Sequence, residues 1–225
     1  MAENIGGGER YLLTVAECLL PHHQVDLILQ SQFKFSKQKL LSIKKKFSKS
    51  FNLNLANLNI ILGPFGSNTS SKKRKLFTKQ YDIFYYMSDG SLFLSKAKYN
   101  AVHFMIPFNS PLPLIQKLKL KTWQVKTANS FFTKNHIEKI WKIKVDHVHL
   151  GAVDPKDFNP TNKKKIILNV GRFFSPTGNK HCKRQDFLVK TFIKLLNEGL
   201  NNWQLILNGP IDKGRDNIAY AKEVA

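Results

Sequence analysis

Apolar residues recur at three- and four-residue steps over Tyr11, Leu12, Val15, Ala16 and Leu19, which predicts a helix from Glu9 to Leu20 ended by Pro21. The apolar run Val25 to Leu29 then predicts a short buried strand. Helical spacing returns between Lys34 and Lys49, where Leu40, Leu41, Ile43 and Phe47 stand among seven lysines, the pattern of an amphipathic basic helix. Leu53 to Leu62 reads as a strand, GPFGSNTSS as a turn-rich loop, and Lys72 to Lys79 as a second basic helix. YDIFYYM is strand-like, SDG a turn and AVHFMIPF a strand; after a Pro-rich loop come the strand WQVKTA, a helix from Thr133 to Trp141, and the strand DHVHL. Strands alternating with helices across short polar loops predict an α/β chain with a parallel sheet covered on both faces.

The alternation breaks once. Gly151 to Lys165 holds two prolines, no periodicity and a terminal lysine run, and reads as a linker. Beyond it KIILNV is a strand, Asp186 to Asn197 a helix, WQLILNG a strand, and Asn217 to Ala225 the first turns of another helix. Two strands do not make a stable α/β domain by themselves, so the second domain is expected to be incomplete within these residues.

Charge changes the picture of what the chain meets. Over 225 residues, 36 Lys and Arg against 15 Asp and Glu give +21, which favours nucleic acid, a phosphorylated ligand or an acidic membrane surface. Nearly all of it is lysine, the arginines being Arg10, Arg74, Arg172, Arg184 and Arg215; a coding bias that also enriches Asn, Ile and Phe explains part of the excess. Cys18 and Cys182 lie far apart without His or Cys at metal-ligand spacing, which argues against a zinc site or a disulfide framework and fits a reducing compartment. MAENIGGGER has no apolar signal core, and no stretch approaches the ~18 consecutive apolar residues of a spanning helix. Ala101 to Gln116 is uncharged and rich in Phe and Pro, which leaves room for an interfacial contact.

Two constellations carry chemistry. Gly6-Gly7-Gly8-Glu9 precedes the first helix, where glycines admit a ligand close to the backbone and free N–H groups favour an anion. Tyr11 stands where a dinucleotide fingerprint needs its third glycine, and no Gly-Lys-Ser/Thr follows, so neither a dinucleotide site nor a P-loop is indicated; a structural turn is the plainer reading of the glycines alone. The second is Arg172, at the carboxyl end of KIILNV, with Lys183 opening the next helix. Open α/β sheets bind ligands at that end. A guanidinium forks onto phosphate oxygens and an ammonium adds a point charge beside the helix's positive end, so the pair reads as a diphosphate clamp. Lys180 and Arg184 read as a solvated basic loop.

GGGER with YLLTVAECL and HQVDLI, then TANSFFTKNHIEKIW, GAVDPKDFNP, IILNVGRF with KRQDFLVKTFIKLL, and WQLILNGP resemble, in this order, the group-one (family 4 type) retaining glycosyltransferases of the GT-B fold. The resemblance spans essentially the whole chain and is most specific from NVGRF to KRQD. It implies two Rossmann-like domains: an acceptor-side domain over 1–155 and the start of a nucleotide-sugar-binding domain over 156–225. It also implies a UDP- or GDP-sugar donor whose diphosphate is held by Arg172 and Lys183, with Gly7 and Gly8 closing on the same region and Gly209 in a donor-site loop. His103 resembles the histidine that such enzymes place near the reacting sugar, and Asn129 and Ser130 match an Asn-Ser that shapes a turn.

The chain departs from the family pattern at both ends. A strand before the glycines and a pair of glutamates eight positions apart have no counterpart, so the expectation is a fragment with little activity alone; Leu150 or Gly151 stands where a Pro is usual. The resemblance further implies a glycan or lipid-linked acceptor and no metal or other cofactor; the basic helices Lys34 to Lys49 and Lys72 to Lys79 add the expectation of a cytoplasmic protein in peripheral contact with anionic lipid at the inner face of the cell membrane. A non-catalytic glycosyltransferase-like subunit is the alternative. A basic nucleic-acid-binding protein is another, although the lysines lack interleaved exposed aromatics and no groove-reading motif appears.

Overall fold

The computed structural model describes residues 6–66, 68–153, 155–176, 182–211 and 214–224, the side chain of Asp157 excepted. The chain divides after Pro155 into two compact units. It is an α/β protein with parallel sheets of Rossmann-like type. Among the described residues no helix is long and apolar enough to cross a membrane.

In the first unit α1 (Gly7–Leu19) leads to β1 (Asp26–Gln30), α2 (Lys37–Phe51) to β2 (Asn59–Gly63), and α3 (Ser71–Thr78) to β3 (Ile83–Ser88). Then come β4 (Tyr99–Phe104), α4 (Leu114–Leu120), β5 (Val125–Ala128), α5 (Phe131–Trp141) and β6 (His147–Val148). β1 pairs with β2, and β3 to β6 pair in sequence order, all parallel.

The two-residue period of the strands sorts their side chains onto two cores. Leu27 and Leu29 of β1 pack with Leu13 and Ala16 of α1 and with Ile43 and Phe47 of α2. The residue between them, Ile28, packs instead against the cluster of Phe84, Val102, Phe104, Trp123 and Ile137. Trp123 is 1% exposed and satisfies its one polar atom by donating Nε1–H to the Phe93 carbonyl at 3.1 Å. In β3 to β5 the alternate residues Tyr85, His103 and Thr127 lie outside this cluster and meet Tyr11 of α1 or one another.

Three local expectations need correction. The strand expected over Leu53 to Leu62 begins only at Asn59, because α2 runs to Phe51 and Asn52 ends it in the left-handed region, with φ 53°. Leu55 and Leu58 are buried from a loop, three residues apart, so their apolar character reflects plugging of the α1–α2 core and not a strand's alternation. The Pro-rich loop ends in α4, entered from Pro113, whose fixed φ suits the approach to a helix. Third, the helix expected from Glu9 starts at Gly7: Gly6 is the N-cap, and Gly7 and Gly8 form the first turn itself.

The second unit contains β7 (Ile166–Val170), α6 (Gln185–Asn197), β8 (Gln204–Asn208) and α7 (Arg215–Val224), with β7 and β8 parallel and in register from Ile166↔Gln204 to Val170↔Asn208. Its core is small, built on Phe173, Tyr220, Ala221 and Val224. Residues 151–165 between the strands of the two units are exposed wherever they are described; Asp154 lies outside the described residues.

Candidate functional site

Each unit gathers candidate residues at the carboxyl ends of its strands. In the second unit the chain leaves β7 through Gly171 and Arg172, and α6 begins at Gln185. A Cβ on Gly171 would lie 3.0 Å from Cγ of Lys183, so the Lys183 stem packs against Gly171, the residue before Arg172. The Arg172 guanidinium lies over the Phe174 ring at 5.9 Å, and Arg172 and Lys183 are both exposed.

The backbone beneath them is fixed by a buried polar network. Gln185 is 0% exposed; its Nε2 donates to the Arg172 carbonyl at 3.1 Å and to the Gly171 carbonyl at 3.4 Å, while its Oε1 accepts from the Tyr220 hydroxyl at 3.3 Å. Gly171 N–H donates to the Asn208 carbonyl and Phe173 N–H to the Pro210 carbonyl, both at 2.9 Å. Gly209 sits where these two backbones touch: a Cβ there would run into the Gly171 carbonyl oxygen, so the position is restricted to glycine.

Lys183 immediately precedes Arg184, the N-cap of α6, and Asp186 stands in the first turn of that helix. The Asp186 carboxylate accepts from Arg184 at 3.1 Å and from the Tyr220 hydroxyl at 3.2 Å. The Arg184 guanidinium holds this carboxyl below the usual range, and an ionised carboxylate is favoured at a helix N-terminus. Arg184 is therefore ion-paired and not simply solvated. Lys180 lies outside the described residues.

In the first unit the glycine turn opens α1 beside β3. A Cβ on Gly8 would sit 3.3 Å from Cε of Met87, a tight fit, whereas one on Gly7 would meet nothing within 4 Å. The N–H groups of this turn have no intrahelical acceptor. One residue past Arg10, the Tyr11 ring stacks on His103 with centroids 4.5 Å apart. Its hydroxyl lies 2.5 Å from Nδ1 of His149, 3.3 Å from the Tyr85 hydroxyl and 3.4 Å from Nδ1 of His103. Thr127 Oγ1 is a closer partner of that Nδ1, at 2.7 Å.

His103 is 0% exposed, and its Nε2 is buried without a hydrogen-bond partner among the described residues. Burial, and secondarily His149, push its pKa down from 6.5 to about 4, so the ring is neutral at pH 7. Burial likewise raises the Tyr85 and Tyr11 hydroxyls, which stay protonated. Asn129 and Ser130 are structural: the Asn129 amide donates to the Met105 carbonyl at 2.8 Å, and Ser130 Oγ accepts from Thr133 N–H at 3.1 Å to cap α5.

The sequence singled out Arg172, Lys183, Gly7, Gly8, Gly209 and His103. Arg172 and the Lys183 stem both lie next to Gly171, which Gly209 abuts, and His103 lies behind Tyr11 on the glycine-turn helix. Tyr11, Tyr85, His149, Gln185 and Tyr220 went unnoticed. Their roles depend on contacts between positions as far apart as 11 and 149. Among the described residues no group of three or more His, Cys, Asp or Glu could hold a metal ion. No protein-family model matches the chain, and no curated protein or solved structure matches it either.

Proposed function

We propose that the chain is part of a retaining glycosyltransferase of the GT-B fold, with the diphosphate of a UDP- or GDP-sugar held at the end of β7 by Arg172 and Lys183. The reading rests on Arg172 at the exit of β7 and on the Lys183 stem, which packs against Gly171 just before it. Their backbone is held by Gln185, so the site is largely formed before a ligand arrives. Breaking a sugar–phosphate bond leaves negative charge growing on the departing diphosphate, and cations already in place stabilise it with little reorganisation. Attack from the face the leaving group vacates, assisted by a phosphate oxygen, needs no protein nucleophile.

The geometry supports a different part for His103 than contact with the sugar. Fully buried and neutral, with Nδ1 held by Thr127, it backs the Tyr11 ring and so holds the Gly7–Gly8 turn in place; it is a positioning residue in this reading.

Titration calorimetry of the purified chain with UDP, GDP and the corresponding monophosphates tests the proposal. Diphosphates are expected to bind better than monophosphates. Arg172→Ala and Lys183→Ala are each expected to weaken UDP or GDP binding by about tenfold to a hundredfold, the loss of a charge-assisted hydrogen bond. Equal binding of mono- and diphosphates, or indifference to both substitutions, overturns it. Salt-sensitive retention on DNA that survives both substitutions would favour the nucleic-acid reading.

A further inference from the structure

α4 is amphipathic in the reverse sense to α1 and α2, whose apolar faces pack into the core. At about 100° per residue, Leu114, Ile115 and Leu118 fall within about 100° of one another, and Leu120 lies on the opposite side. Leu120 is the buried residue, at 3% exposure, whereas Leu114, Ile115 and Leu118 are 80%, 65% and 58% exposed. The apolar face of this helix points away from the core. Lys117 falls on one flank of that face and Lys119 on the other, with Lys121 at the C-cap. Ile106, in the loop that leads to α4, adds a further apolar side chain at 48% exposure.

The surrounding sequence matches this placement. No Asp or Glu occurs between Asp89 and Glu138, a stretch that includes Lys96, Lys98, Lys126 and Lys134 besides those of α4. The basic helix α2 differs: Ile43, Phe47 and Phe51 are buried in the core, and Leu41, at 51% exposure, is the one large apolar side chain exposed among its lysines, against three on α4. Lysines alone give weak, diffuse attraction. Lysines flanking an apolar face fit a surface that is negative outside and apolar just beneath.

We propose that α4, with the loop before it, is the element by which this chain docks on an anionic lipid bilayer, Leu114, Ile115 and Leu118 entering the headgroup layer and Lys117, Lys119 and Lys121 pairing with lipid phosphates. The inference stands apart from the transferase reading, since it concerns where the chain rests and uses no residue of the β7 site.

Flotation of the 225-residue chain with phosphatidylcholine vesicles, with or without about one third phosphatidylglycerol, tests it. The chain is expected to float with the anionic vesicles, and less so at high salt. A Leu114→Glu, Ile115→Glu, Leu118→Glu variant is expected to lose more than tenfold in binding, and Leu118→Ser alone to lose part of it. Lys117→Gln, Lys119→Gln and Lys121→Gln are expected to weaken it by up to about fivefold each. Lys45→Gln, Lys46→Gln, Lys49→Gln on α2 serves as the comparison and is expected to change little. Far-UV circular dichroism should be the same for every variant, because the altered side chains are exposed. Equal losses from the α2 and α4 variants, or no flotation of the unaltered chain, overturns the proposal. So does light scattering that shows a dimer dissolved by the α4 substitutions, which would assign the face to a second copy of the chain.

Discussion

His103 couples stability to pH in a defined direction. Its folded pKa, about 4, lies below the 6.5 of a free imidazole, so between these values the unfolded chain binds a proton that the folded chain does not. Stability therefore falls as pH drops through this window, by at most about 3 kcal/mol at pH 4. His103→Gln is expected to flatten the pH dependence of the urea midpoint between pH 6.5 and 4; an unchanged slope would assign the loss to other groups. At the glycine turn, Gly7→Ala meets open space, so thermal stability is expected to hold or rise by about 0.5–1 kcal/mol. Arg172→Lys keeps the charge but loses the fork, and is expected to recover only part of the affinity lost in Arg172→Ala. The place of Arg172 at the exit of β7 was legible in the sequence because a cation just after an apolar strand is an unusual placement. The Tyr11–His149 contact was not, because it closes across 138 residues and neither residue carries a local mark.

Elements whose apolar positions face the core were read nearly as they stand. α1, α2 and α5 obey the helical period because burial enforces it. α4 was missed for the complementary reason: its apolar residues mostly face outward and a Pro-rich segment precedes it, so the core left little imprint on its sequence. The start of β2 was missed because Leu55 and Leu58 are buried from irregular backbone. End signals are local, and the capping serine of α5 shows what one contributes. Ser130→Ala leaves the Thr133 N–H without its acceptor and is expected to cost about 1 kcal/mol in urea unfolding. A Ser130→Asp variant, which restores an acceptor, should recover most of that loss.

Across the whole molecule the two units have separate cores, and the stretch between them is exposed with three consecutive lysines at 163–165. Trypsin is expected to cut first at these lysines and to release the two units, as read by mass spectrometry of brief digests; a first cut inside 6–150 would contradict the division. The same contrast decides where the chain's length can change. β1 sends Leu27 and Leu29 to one core and Ile28 to the other, so a single inserted residue would invert the strand and present each core with the other's side chains. Residues 156–163 serve no core and tolerate a change of length, up to Lys164 and Lys165, whose carbonyls accept from Ile166 and Gln204. In this chain an insertion of one residue is harmless or ruinous according to whether the neighbouring backbone has two faces to satisfy or none.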